Sequence, residues 1–201
     1  MNKIIGFIGG GNMASAIIGG ILQSGLAPKE GIIASDKLEE ARRLLQERFG
    51  VRITEDNRKT AETADILFLA VKPHLFPDVI TEIKDSIRSD TLLVSIAAGQ
   101  SIAAIEGRFG REIRLVRAMP NTPALVGAAM SALSPNQNVC EEELAEVVSI
   151  FESFGACEVI SETMMDAVVG VSGSSPAYVY MFIEAMADAA SSVVNYFRGN
   201  L

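Results

Sequence analysis

Short apolar runs alternate with stretches in which apolar residues recur at helical spacing. Ile4–Ile8 is a β-branched run of strand type. From Asn12 to Ser24 the residues Met13, Ile17, Ile18, Ile21 and Leu22 fall on one face, which predicts a helix. Gly31–Ser35 reads as strand, Leu38–Phe49 as a charged amphipathic helix ended by Gly50, and Val51–Thr54 as a short strand. Asp65–Val71 is almost wholly apolar, as a strand covered on both faces should be. The pattern then predicts helix over Leu75–Ile87, strand over Thr91–Ile96, helix over Ile102–Phe109 and strand over Ile113–Ala118. Strand over Gly127–Leu133, helix over Glu141–Phe154 and strand over Cys157–Ile160 close the series.

Strands alternating with helices imply an α/β fold: a doubly wound, mainly parallel sheet with helices on both faces. Parallel crossovers are right-handed almost without exception, which narrows the topology further. The character changes near Ser161, after which no strand pattern occurs, so an all-α C-terminal segment is expected. Ser175-Pro176 reads as a helix start, with serine as N-cap and proline at the first helical position. Val179, Phe182, Ile183, Met186, Ala190, Val193 and Phe197 then keep helical spacing. Little sequence follows to cover this stripe, so a partner subunit or a further segment is expected to do so.

Composition narrows the function classes. The 201 residues carry a net charge of −8 with no clustered basic face, which argues against a nucleic-acid partner. A cofactor phosphate is still compatible, because backbone N–H groups and a helix dipole can hold it. Forty-nine per cent of the residues are hydrophobic, enough for a sizeable core. No segment has the roughly 18 uncharged apolar residues of a membrane span, and Met-Asn-Lys-Ile-Ile-Gly-Phe-Ile does not read as a signal peptide. Cys140 and Cys157 read as ordinary reduced thiols, and the expected location is the cytoplasm. His74 is the sole histidine and no metal-ligand spacing occurs, so no metal site is expected.

Candidate chemistry begins at Gly6-Phe7-Ile8-Gly9-Gly10-Gly11-Asn12-Met13-Ala14. Gly9, Gly11 and Ala14 form Gly-x-Gly-x-x-Ala between the first strand and the first helix. In such a motif the first glycine permits the tight turn and the second lets a pyrophosphate approach the backbone. The small third residue lets helix and strand pack closely. This is the dinucleotide-binding arrangement of a Rossmann-type fold. The second strand ends in Ala34-Ser35-Asp36-Lys37. An acid there favours the free 2′-hydroxyl of NAD, whereas Ser35 and Lys37 could hold the 2′-phosphate of NADP. We read NADP as the cofactor, with NAD as the alternative.

Four further stretches fall where strands should meet loops. They are Ala70-Val71-Lys72-Pro73-His74, Ser95-Ile96-Ala97-Ala98-Gly99, Met119-Pro120-Asn121-Thr122-Pro123 and Val171-Ser172-Gly173-Ser174-Ser175-Pro176-Ala177-Tyr178. With the glycine loop, their order and spacing closely resemble pyrroline-5-carboxylate reductase, from residue 3 to about residue 190. The resemblance implies NAD(P)H-dependent reduction of 1-pyrroline-5-carboxylate, a cyclic imine, to L-proline, the last step of proline biosynthesis. It implies a dinucleotide-binding domain over residues 1–160. Residues 161–201 would begin a helical domain for dimerisation and substrate binding, with self-association through the last helix. Phe7, Ile8, Gly9, Gly10, Gly11, Asn12 and Met13 match the family's pyrophosphate loop, and Ser35, Asp36 and Lys37 its ribose-phosphate turn. Asn57 matches a cofactor-contacting asparagine. Ala70, Val71, Lys72 and Pro73 match the loop beside ribose and nicotinamide, and Ala97, Ala98 and Gly99 the lining of the nicotinamide pocket. Asn121 and Thr122 match a loop at the catalytic cleft and, with Lys72, are the candidate cleft residues. The sequence shows no obvious catalytic dyad. For Lys72 cofactor contact or loop structure is the favoured role, for His74 helix entry, and for Glu184 and Asp188 a solvated face.

The chain departs from the family pattern in two places. Ser175 stands where the family usually has glycine, so a positive φ there would be strained. The family's Ser-Pro-Gly-Gly-Thr loop, which the resemblance assigns to the substrate carboxylate, does not occur in these residues. The chain therefore reads as C-terminally shortened or divergent. Two alternatives stay open at this point: an inactive NAD(P)-binding module, and another small oxidoreductase of the β-hydroxyacid dehydrogenase type.

Overall fold

The computed structural model describes the backbone of residues 1–199 and the side chains of residues 1–194. Its centre is β1 (Ile5–Ile8), buried at every position, flanked by β2 (Ile32–Ser35) and β4 (Ile66–Leu69). The short β3 (Arg52–Thr54) lies outside β2. On the other side follow β5 (Leu92–Ser95), β6 (Arg114–Met119), β7 (Ala129–Pro135) and β8 (Gly155–Val159). The order is β3-β2-β1-β4-β5-β6-β7-β8. The first six strands are parallel, in the doubly wound order that creates a crevice where the winding reverses beside β1. β7 runs antiparallel to β6, and β8 lies parallel to β7. Only a tight stretch with a 3-10 turn at Thr122–Val126 joins β6 to β7, too short for the crossover that a parallel pair requires.

Alternation along the strands divides the core between the two faces. Ile5, Phe7, Ile66, Phe68, Val94 and Val116 meet α1 (Asn12–Gln23) and α6 (Glu141–Glu152) on one face, joined by Leu45 of α2 (Glu39–Phe49). The rings of Phe7 and Phe68 stack across neighbouring strands with centroids 4.8 Å apart. Ile8, Leu67, Leu69, Leu93 and Leu115 face α3 (Asn57–Thr63), α4 (Phe76–Ile83) and α5 (Ile102–Phe109) on the other. Gly6 sits under α3, where a Cβ would lie 2.7 Å from that of Ala64.

Several boundaries differ from the sequence expectation. α3 was not expected at all: it is short and polar, so periodicity is silent, although Asp56 caps it by accepting a bond from the Arg58 N–H at 2.9 Å. The helix expected over Leu75–Ile87 is a 3-10 turn, Pro73–Leu75, followed by α4, which ends at Ile83. The strand expected from Gly127 starts at Ala129, because Gly127 closes the preceding turn with φ +71°.

The Ser175 N-cap also requires correction. A helical turn, α7 (Met165–Val168), runs through a π-helical turn at Val169–Gly173 towards α8 (Ser175–Gly199). Ser175 lies in the helix itself, and its hydroxyl donates back to the Val171 carbonyl. Among the described residues no non-glycine has positive φ, so serine here carries no such strain. Along α8 the side chains of Val179, Phe182, Ile183, Met186 and Val193 are each at least half exposed, as the uncovered stripe implied. The Phe197 side chain lies outside the described residues.

The segment after β8 is tied back to the sheet by a charge pair. Glu162 accepts a bond from the Arg117 guanidinium of β6 at 2.9 Å and another from the Ile102 N–H at 2.7 Å, which serves the start of α5. The Arg117 side chain is only 9% exposed, so removing its partner leaves a poorly hydrated cation. Glu162→Ala is expected to cost about 2 kcal/mol of unfolding free energy, as bonds to charged groups usually do. Urea unfolding followed by circular dichroism measures this, and an unchanged midpoint would show the tie to be dispensable.

Candidate functional site

Because six strands are parallel, their carboxyl ends share one edge of the sheet, and the loops that carry the sequence motifs gather there. The glycine loop lies at the centre. The Gly9 N–H donates to the Ser35 carbonyl at 2.8 Å, and the Ala70 N–H donates to the Ile8 carbonyl at 2.8 Å, fixing the loop between its two neighbours. Gly9 has φ +102°, and a Cβ on it would lie 2.6 Å from the Ala70 carbonyl oxygen. Gly11 is not forced in this way. Its φ is an ordinary −75°, and nothing lies within 4 Å of where a Cβ would stand, so the backbone faces open space. Gly11 is also the N-cap of α1, which has no side-chain cap and no acid in its first turn. The free N–H groups and positive dipole end of that helix are therefore available to an anion.

Beside this loop lies a cavity of about 560 Å³. Gly9, Gly11, Asp36, Lys37, Asn57, Ala70, Val71 and Lys72, all expected from sequence, line it together. The other matched positions lie around it. Phe7, Ile8 and Ser35 are fully buried beneath it, and the Ser35 hydroxyl donates to the Phe7 carbonyl at 3.4 Å, so these positions support the loop from below and do not line the cavity. Gly10 is buried and its N–H donates to Asp36 Oδ2 at 2.8 Å, while Asn12 is exposed and Met13 half-buried. Pro73 begins the 3-10 turn beside Lys72. Ala97 is buried, and Ala98 and Gly99 form the exposed turn beyond β5.

The structure adds residues that sequence reasoning missed: Leu38, Leu75, Asp78, Val79 and Glu82. Glu82 comes from the end of α4. It accepts bonds from Lys37 Nζ at 2.9 Å and from Asn57 Nδ2 at 2.8 Å. Burial pushes its carboxyl up. The hydrogen bonds from Lys37 and Asn57, with the charges of Lys37 and Arg58, outweigh that and hold it below the ordinary glutamate value. No local motif marks Glu82, because its partners come from distant parts of the chain.

Asn121 belongs to a second hollow, about 420 Å³, at the end of β6. It lies beside Pro123, Val171, Ser172, Ser175, Pro176, Val179 and Tyr180. The buried Asn121 amide accepts from the Met130 N–H at 3.0 Å and donates to the Ser172 carbonyl at 3.1 Å. Its side chain thus ties the loop after β6 to β7 and to the C-terminal segment. Thr122 is exposed at the start of the 3-10 turn, and Lys72 and His74 are exposed on the loop after β4. A larger hollow of about 650 Å³ runs along α1 away from its N-terminus, lined by Gln23, Arg48, Phe49 and Ser153 among others. It holds none of the strand-end motifs, only residues 124–127, which follow Pro123 in the loop after β6.

Residues 4–99 match the family model described as NADP oxidoreductase, coenzyme F420-dependent, and residues 162–193 match pyrroline-5-carboxylate reductase dimerisation. The pyrroline-5-carboxylate reductase of Escherichia coli (strain K12) is 48% identical over 190 residues, covering 94% of this chain and 71% of that protein. The chain belongs to the pyrroline-5-carboxylate reductase family. A solved pyrroline-5-carboxylate reductase from Coxiella burnetii superposes with a TM-score of 0.88 at 36% identity, over 96% of this chain and 72% of that one. A Plasmodium falciparum pyrroline carboxylate reductase with NADP bound gives 0.86 at 34% identity, over 95% and 70%. These matches favour the reductase over both alternatives left open by the sequence.

The two loop glycines are separable by experiment. Gly9→Ala forces an alanine into a glycine-only conformation and against a carbonyl, so it is expected to cost about 2 kcal/mol of stability. Thermal or urea unfolding reads this, and a wild-type midpoint would refute the strained turn.

Proposed function

We propose that this chain reduces 1-pyrroline-5-carboxylate to L-proline, with NADPH as the cofactor and NADH as the alternative. The observation that carries the proposal is 48% identity to the Escherichia coli enzyme over 94% of the chain. The cavity at the carboxyl edge supports it independently, through an uncapped helix N-terminus facing open space above Gly11. The glycine loop and the start of α1 would hold the pyrophosphate, and Asp36, Lys37 and Asn57 the adenosine ribose. Ala70–Pro73 and Ala97–Gly99 would line the path to the nicotinamide. The cofactor, when bound, supplies a hydride to the imine carbon. With its nitrogen protonated near neutral pH, the imine is electrophilic at that carbon without a strong side-chain acid, and the nitrogen keeps the C=N electron pair as the amine forms. The residues of the second hollow then mainly position and shield the substrate, which supplies several kcal/mol of the barrier. Lys72, Asn121 and Thr122 remain the candidate cleft residues. In this reading residues 1–160 form the cofactor domain, and 161–201 belong to the substrate and dimerisation domain. The cytoplasm is the proposed location. The two free cysteines, Cys140 and Cys157, agree with it. Among the described residues no helix is long and apolar enough to cross a membrane.

Oxidation of NADPH by pyrroline-5-carboxylate, followed by loss of its absorbance, tests the reading directly, and absence of turnover would oppose it. Gly11→Val is expected to cost only about 1 kcal/mol of stability as a poorer N-cap. It should nevertheless weaken NADPH binding by about tenfold or more, because the side chain would occupy the open space. Wild-type affinity in that variant would move the pyrophosphate elsewhere.

The exposed apolar stripe of α8 supports a homodimer or higher oligomer formed through that helix. Sedimentation should show self-association at micromolar concentration, lost in Phe182→Glu. A monomeric wild-type profile, or an unaffected variant, would argue against this face.

A further inference from the structure

The cavity beside the glycine loop has an unexpected charge balance for a site that takes a 2′-phosphate. Three carboxylates, Asp36, Asp78 and Glu82, line it against two ammonium groups, Lys37 and Lys72. Asp36 is committed to the backbone: its Oδ2 accepts from the Gly10 N–H at 2.8 Å and its Oδ1 from the Leu38 N–H at 2.9 Å. Glu82 is committed to side chains. One oxygen takes the Lys37 ammonium at 2.9 Å and the other takes the Asn57 amide at 2.8 Å. Arg58 donates to the Glu82 carbonyl oxygen at 3.1 Å, which holds the end of α4 against α3.

This arrangement has two effects. Lys37 is 64% exposed at the side chain, and its ion pair with Glu82 at 2.9 Å places it at the cavity wall and partly offsets its charge. Asn57 is nearly buried, and because its NH₂ is given to Glu82 its Oδ1 is left as the outward acceptor. No hydrogen bond among the described residues reaches that oxygen. An outward amide oxygen suits a hydroxyl donor and offers nothing to a phosphate, which has only acceptors at its surface.

We propose that Glu82 sets the cofactor preference of this protein, by pairing with Lys37 and orienting Asn57 so that the affinity for a 2′-phosphorylated nucleotide is restrained and NADH stays usable. The proposal rests on the cofactor assignment made above. Glu82 is a specificity-determining positioning residue: it acts through Lys37 and Asn57.

Glu82→Gln tests it. The glutamine oxygen can still accept from Asn57, so the amide keeps its orientation, while the negative charge opposite Lys37 disappears. NADPH and NADH affinities are measured by the fluorescence of the reduced nicotinamide, for wild type, Glu82→Gln, Lys37→Met and the double variant. In Glu82→Gln the NADPH dissociation constant should fall by about fivefold at low salt, with NADH changed less than about twofold. The gain should shrink at ~0.5 M salt, where exposed charges are screened. It should vanish in the double variant. A merely structural role would move both cofactors together and shift the unfolding midpoint. If wild type and Glu82→Gln discriminate between the two nucleotides equally, Glu82 does not set the preference, although the cofactor assignment stands. If wild type binds neither nucleotide, the cofactor assignment itself fails and the proposal with it.

Discussion

The turn from β1 into α1 is the constraint on which the rest of this structure depends. The central strand is buried on both faces, so it must leave the core at its carboxyl end and double back at once over the sheet. Three glycines make that reversal. Only Gly9 is forced by conformation, since its backbone lies against the carbonyl of Ala70 with φ +102°. Once the turn is made, α1 starts with its N–H groups aimed across the sheet edge and with Gly11 leaving the space before them open. The parallel pairing of β2 and β4 with β1 then delivers Asp36 and Ala70–Lys72 to the same place. The site is thus a by-product of the shortest way out of the core.

Much of this was legible in the amino-acid pattern, and for identifiable reasons. Buried parallel strands are short and wholly apolar, so Ile66–Leu69 and Ile5–Ile8 stand out from any neighbour. Helices with one buried stripe announce their faces, as α1 and α5 do. The glycine spacing marked the turn from β1 into α1 because at Gly9 the backbone has φ +102° and lies against the Ala70 carbonyl. What escaped was structure held by distant partners. α3 has too few apolar residues for periodicity to speak, and its place is decided by packing over Gly6. Glu82 looks like one more surface acid on an amphipathic helix, until the fold brings Lys37 and Asn57 to it from across the crevice. Ser175 misled for a related reason. Ser-Pro is a good helix start in isolation, but here the chain is already helical when it arrives.

The C-terminal segment is joined to the sheet by few but well-placed contacts. Met165 is fully buried, Glu162 joins Arg117 and the start of α5, and beyond Gly173 the helix runs with its apolar side chains in the open. Such a helix has no core of its own. Its order comes from the helical run it continues and from whatever covers its stripe, as is usual for helices whose stability is tertiary in origin.

The amide of Asn121 gives this attachment a mechanical meaning. One side chain holds the Met130 N–H of β7 with its oxygen and the Ser172 carbonyl of the C-terminal segment with its nitrogen. Neither element can shift alone without breaking a buried bond worth about 1 kcal/mol. The loop after β6 and the root of the last helix are therefore joined through one side chain, that of Asn121. The hollow beside Asn121 is therefore walled jointly by the loop after β6 and by the first turn of the last helix, so its shape belongs to both elements at once.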